Sequence, residues 1–136
     1  MADLYNETSA FALDFGAGGA VRYMDDASRL TSVTPAFRRA AARIEMFSSW
    51  PVTATPAQVR AAFRRSEAWT ARLRQAMPDS GTYFSEANYH EPGWQAAFWG
   101  AANYARLQAV KAAYDPRWLF YCHQCVELPS PPPRRG

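Results

Sequence analysis

Apolar positions recur along the chain in two rhythms, and the switches between them mark out six elements. Phe11, Leu13 and Phe15 alternate with Ala12 and Asp14, the pattern of a short half-buried strand. Gly16-Ala17-Gly18-Gly19 breaks the alternation and reads as a turn. From Thr34 the spacing changes to threes and fours. Thr34 as cap and Pro35 as first residue open a helix whose apolar face is Phe37, Ala40, Ala41, Ile44 and Phe47, with Arg38, Arg39 and Arg43 off that face. Ser48-Ser49-Trp50-Pro51 ends it. A second helix opens at Thr55-Pro56 and carries the stripe Val59, Phe63, Ser66, Thr70, Leu73 and Met77 to a stop at Pro78. Thr82 to Asn88 reads as a strand, on the extended preference of Thr82, Tyr83 and Phe84. A third helix runs from Trp94 to Tyr114 through Phe98, Ala101, Tyr104, Leu107 and Val110, and Asp115-Pro116 closes it. Trp118 to Val126 reads as a last strand, and the Pro-rich stretch Pro129 to Gly136 as an unstructured tail.

The order strand, helix, helix, strand, helix, strand has no repeat and no βαβ rhythm with a phosphate loop. The expected class is therefore α+β, with helices packed on a small antiparallel sheet. At 136 residues and 49% hydrophobic content the chain suffices for one core and not for two. Mean hydropathy is −0.37, and no apolar run approaches the ~20 residues of a membrane-spanning helix. The first residues lack the basic and apolar regions of a secretory signal. The formal charge is +3, and Arg134 and Arg135 of the tail supply two of those charges. Such an excess is too small and too scattered for a nucleic-acid binder, so neither nucleic acid nor membrane is an expected partner.

Candidate chemistry is sparse. Cys122-His123-Gln124-Cys125 has the spacing of a redox pair or of half a metal site. His90 is the other histidine, there is no second Cys pair, and the motif falls in an expected strand, so the cysteines read as incidental. The glycine run lacks the Lys-Ser/Thr of a phosphate loop. His90 and His123 read as structural, and the Arg-rich helix faces as solvated surface. Polar Ser85, Asn88 and Asn103 stand among aromatics, where buried polar groups must find partners.

The most informative stretch is Pro78 to Val126. It contains Thr82-Tyr83-Phe84-Ser85-Glu86-Ala87-Asn88-Tyr89, then Phe98-Trp99-Gly100, Asn103-Tyr104-Ala105-Arg106-Leu107, Val110-Lys111-Ala112-Ala113-Tyr114-Asp115-Pro116 and Leu119-Phe120. This run resembles the berberine/berberine-like C-terminal segment of FAD-linked oxidases, flavoproteins of the vanillyl-alcohol-oxidase superfamily. The chain departs from that pattern at His123-Gln124-Cys125-Val126-Glu127, where relatives continue with a His-His-Gly-Val-Gly-like run.

The resemblance implies the C-terminal portion of a larger flavoenzyme. Residues 1–78 would be part of a substrate domain, 79–127 the berberine-like segment and 128–136 a disordered tail. The implied cofactor is FAD, with Tyr83, Ser85 and Asn103 near the flavin and Glu86 at the position of the general base. The implied reaction is hydride transfer from a small-molecule substrate to FAD. The FAD-binding domain of such enzymes has no counterpart in these residues, so a partner domain is expected, missing or supplied in trans. The alternatives are a non-catalytic module pairing with a separate FAD-binding polypeptide, and an inactive truncated fragment.

Overall fold

The computed structural model describes residues 10–14 and 31–130. Among them are four helices and a two-stranded antiparallel sheet, the α+β arrangement expected. The elements are β1 (Ala10–Asp14), α1 (Pro35–Arg39), β2 (Arg43–Phe47), α2 (Pro56–Ala76), α3 (Trp94–Trp99) and α4 (Ala101–Tyr114). The expected glycine turn at 16–19 and the tail beyond residue 130 lie outside the described residues.

The expected helix over Pro35 to Phe47 is not formed as one piece. Ala40, at the end of α1, turns to an extended conformation (φ −66°, ψ 137°), and the chain continues as β2. β2 pairs with β1 in the register Ala10 with Phe47 through Asp14 with Arg43. Arg43-Ile44-Glu45-Met46 also alternates, so over this short run the two periods compete. The ladder to β1 is a non-local gain that helical spacing does not register.

α2 forms over the expected span. Thr55 and Gln58 make a reciprocal capping box, with the Thr55 N–H donating to Gln58 Oε1 at 2.8 Å. Its inner side buries Ala62 and Trp69, while the Arg72 guanidinium lies 4.6 Å from the Trp69 ring centre. Arg60, Arg64 and Arg65 are exposed as expected. Arg38 of α1 is instead buried and donates to Thr31 Oγ1 at 3.1 Å.

The expected strand from Thr82 to Asn88 is replaced by a single 3-10 turn, Phe84–Glu86. Among the described residues no strand pairs with it; Phe84, itself 40% exposed, lays its ring against Phe98 and Trp99, each 5.5 Å between ring centres. The expected continuous helix from Trp94 to Tyr114 is broken at Gly100, whose φ of +77° suits glycine. A Cβ there would also meet Pro35 Cδ at 2.9 Å. The break folds Trp94, Phe98, Trp99 and Tyr104 into one aromatic cluster, with Trp94 and Tyr104 perpendicular at 5.5 Å.

The expected strand from Trp118 to Val126 does not form either. Trp118 and Gln124 have positive φ, 51° and 53°, and the segment is irregular, bridged by a Cys122–Cys125 disulfide. The cysteines are thus joined rather than incidental. Leu128 is buried.

Candidate functional site: an exposed turn held from behind

The turn that carries Tyr83, Ser85 and Glu86 is short, so its position depends on what grips it. Thr82 is held at two atoms. Its N–H donates to the Ala97 carbonyl at 2.9 Å, and its hydroxyl donates to Glu91 Oε1 at 3.2 Å. Gly81 lies so close to α1 and α3 that a Cβ would meet Ala36 Cβ at 2.8 Å and the Ala97 carbonyl oxygen at 3.0 Å. Phe84 anchors the turn through one face of its ring, packed on Phe98 and Trp99, and Tyr83, Ser85 and Glu86 are exposed beside it.

Arg43 of β2 reaches this turn. Its guanidinium carbon lies 5.3 Å from the Tyr83 ring centre, its Nη1 is 3.2 Å from Glu86 Oε2, and its Nη2 pairs with Glu45. One cation therefore ties the sheet to both Tyr83 and Glu86. Asn103 is placed differently. It is buried on α4, and its Nδ2 donates to the Val33 carbonyl at 3.1 Å. Among the described residues no hydrogen bond or ion pair links Asn103 to the turn. Its effect is indirect: it fixes the 33–36 stretch against which Gly81 packs.

A second grip comes from the end of α2. Glu91 has a fully buried side chain, and its Oε1 accepts from Arg74 Nη2 as well as from Thr82. His90 Nδ1 meets Glu67 Oε1 at 2.6 Å, and Asn88 Nδ2 donates to Ser66 Oγ at 3.3 Å. The 88–91 loop is thereby fastened along α2.

Beyond α4, Asp115 organises the chain's exit. Its carboxylate accepts the N–H groups of Leu119 (2.8 Å) and Phe120 (3.0 Å) and pairs with Lys111 Nζ at 2.5 Å. The Lys111 hydrogen bond, followed by those two backbone donors, holds the Asp115 carboxyl below its ordinary 3.8. A carboxyl depressed in the folded state stabilises the fold above its unfolded value, and that contribution disappears as pH falls through the folded value. Wild type should therefore lose melting temperature relative to Asp115→Asn on acidification from 3.8 downward. Thermal melts of both proteins across that interval check this; parallel curves would refute it. On α4 itself, burial raises the Tyr104 phenol above its ordinary 10.0, and its oxygen accepts the Glu127 N–H at 3.3 Å.

Arg43, Glu45 and Glu91 were not expected in this assembly. The alternation at Arg43-Ile44-Glu45-Met46 was the available signal for the first two, since residues two apart share a strand face. Glu91 had no local signal, because its partners come from α2 and from Thr82.

Comparison with known proteins points in one direction. Residues 82–127, from the start of this turn through the disulfide loop, match the family model "Berberine and berberine like". An uncharacterized FAD-linked oxidoreductase of Arthroderma benhamiae is 36% identical over 112 residues, covering 82% of this chain and 20% of that protein. The FAD-linked oxidoreductase ffsJ of Aspergillus flavipes is 36% identical over 109 residues, 80% of this chain and 18% of that protein. Among solved structures, a VAO-type flavoprotein from Myceliophthora thermophila C1 superposes with a TM-score of 0.72 at 27% identity, over 85% of this chain and 20% of its own. The chain spans about a fifth of the length of these relatives. Residues 82–127 are thus a berberine-like segment, and the chain as a whole corresponds to a C-terminal portion of VAO-type FAD-linked oxidoreductases.

Proposed function

We propose that this chain forms the substrate-side wall of an FAD-dependent oxidoreductase and supplies some of its flavin contacts. Residues 1–78 belong to the substrate domain in this reading, and 79–127 carry the flavin-facing turn. The observation that carries it is the match over residues 82–127, which begins at a turn that presents Tyr83, Ser85 and Glu86 outward on a braced base.

The residues suit one edge of a flavin. Tyr83 offers a ring and Ser85 a hydroxyl, both exposed and two residues apart. Asn103 is buried and acts as a support for the wall behind them. When bound, FAD supplies the acceptor for a hydride from a small-molecule substrate. Glu86 accepts the substrate's proton, its carboxylate oriented by Arg43. The rest of the flavin is enclosed by an FAD-binding domain, in the same polypeptide or in trans. An exposed ladder of Tyr114, Leu119, Phe120 and Tyr121 favours a second, compatible reading, in which this chain pairs with a separate FAD-binding polypeptide.

The test is flavin fluorescence as the full chain is titrated into FAD. Quenching is expected, weak because only one wall is offered. Tyr83→Ala should remove most of it, and Val52→Ser, at a fully exposed site, should leave it unchanged. No quenching at about 1 mM chain, where ~4 kcal/mol gives half-saturation, would sink the reading.

A further inference from the structure

The Cys122–Cys125 bridge takes no part in the flavin reading. The two residues are three apart in sequence, with Cα atoms 5.3 Å apart, inside the usual span for a disulfide. A ring this small closes almost no chain, so the bond gains little from restricting the unfolded state. Cys122 is exposed and Cys125 half-buried. Both line an open groove together with Lys111, Phe120, Tyr121 and Val126. A thiolate approaching along that groove meets apolar walls and one cationic side chain, and reaches Cys122 first.

What the bridge holds is specific. His123, inside the bridge, stacks on the Tyr89 ring at 4.0 Å and 11°, with Nε2 2.5 Å from the Tyr89 carbonyl. Gln124, also inside, donates through Nε2 to the Glu91 carbonyl at 3.2 Å while its own φ is +53°. A left-handed backbone is uncommon at a residue with a side chain, and local constraint is needed to keep it there. The bridge and the two contacts supply that constraint together.

We propose that Cys122–Cys125 is a reversible redox site whose co-reactant is a dithiol, and that its reduction opens the His123–Tyr89 clasp. One thiolate of the dithiol attacks the Cys122 sulfur. A mixed disulfide forms, the bond between the cysteines breaks, and Cys125 departs as a thiolate that takes up a proton. The second thiol of the reductant loses its proton and attacks its own bridged sulfur, which frees Cys122 as a thiol. Two electrons and two protons pass to the pair, and the reductant leaves as a disulfide. Freed of the bridge, the 122–125 loop no longer holds His123 over Tyr89 or Gln124 in its left-handed conformation. Glu91 then loses the Gln124 contact on its carbonyl, on the loop that braces Thr82.

The test uses the full chain in native buffer with dithiothreitol as the dithiol. New thiols are trapped by alkylation and counted by mass spectrometry, and the His123 ring protons are followed by NMR. The expected result is two alkylated cysteines without denaturant. The His123 signals should move from ring-current-shifted positions towards those of a solvated histidine, and reoxidation should reverse both changes. The double variant Cys122→Ser/Cys125→Ser should show the released His123 signals with or without reductant. A bond that resists dithiothreitol until the chain is denatured would overturn the proposal. So would two free thiols that persist in the air-oxidised protein, or His123 signals that stay in place on reduction.

Discussion

Arg74→Ala should cost the fold about 3–5 kcal/mol, the range seen when one partner of a buried ion pair is removed. The Glu91 side chain is 0% exposed, whereas that of Arg74 is 37% exposed. The two members of the pair are therefore not equivalent. Without the guanidinium, a buried carboxylate keeps the Thr82 hydroxyl on Oε1, and Oε2 has no hydrogen-bond partner. Without the carboxylate charge, Arg74 can still turn towards water. Glu91→Gln should accordingly cost several-fold less than Arg74→Ala. Urea unfolding provides the measurement: the midpoint should fall sharply for Arg74→Ala with an unchanged slope. An Arg74→Ala protein within about 0.5 kcal/mol of wild type, the usual range for surface changes, would show that Glu91 is not held by charge.

Phe98→Ala should have a similar effect by a different route, again about 3–5 kcal/mol. Phe98 is 4% exposed and touches Phe84, Trp94 and Trp99 at ring separations of 5.5, 6.1 and 5.4 Å. Truncation leaves a void among rigid rings that cannot easily collapse. For a domain whose whole stability is on the order of 5–15 kcal/mol, this is a large share. The loss has a local signature as well. Phe84 anchors the turn through its ring contact with Phe98, so the Thr82 amide, hydrogen-bonded to Ala97, should exchange with solvent much faster. Phe98→Leu, which keeps most of the volume, should cost less than half as much. If Phe98→Ala melts normally and Thr82 stays protected, the aromatic cluster does not brace the turn.

The parts legible in the sequence were those whose signals are local. The Thr55-Pro56 start and Pro78 stop of α2 were readable because capping chemistry involves neighbours only. β1 was readable from alternation over five residues. The α+β class and the berberine-like stretch followed from element order and from residue identities over residues 79–127. The failures lie where distant partners decide. Arg43 to Phe47 satisfied both periods, and β1, far away in sequence, settled the matter in favour of a strand. Thr82 to Asn88 has strand-forming residues but, among the described residues, no strand to pair with, and Phe84 packs its ring against α3 instead. At Gly100 the apolar spacing continued through a residue that costs only about 1 kcal/mol in a helix, so the pattern concealed the bend. For the site, Tyr83, Ser85 and Glu86 came together simply because they are adjacent. Their bracing by Arg43, Glu91 and Asn103 depends on contacts that no local pattern encodes.

The bend at Gly100 gives the protein an optical gauge of its own assembly. In an unbroken helix Trp94 and Tyr104 would be separated by ten rises, about 15 Å along the axis, and Trp99 would face away from both. Only the folded-back arrangement sets these chromophores within 5.5–6.0 Å of one another. Exciton-coupled circular dichroism from the indoles and the phenol thus reports on closure of this corner.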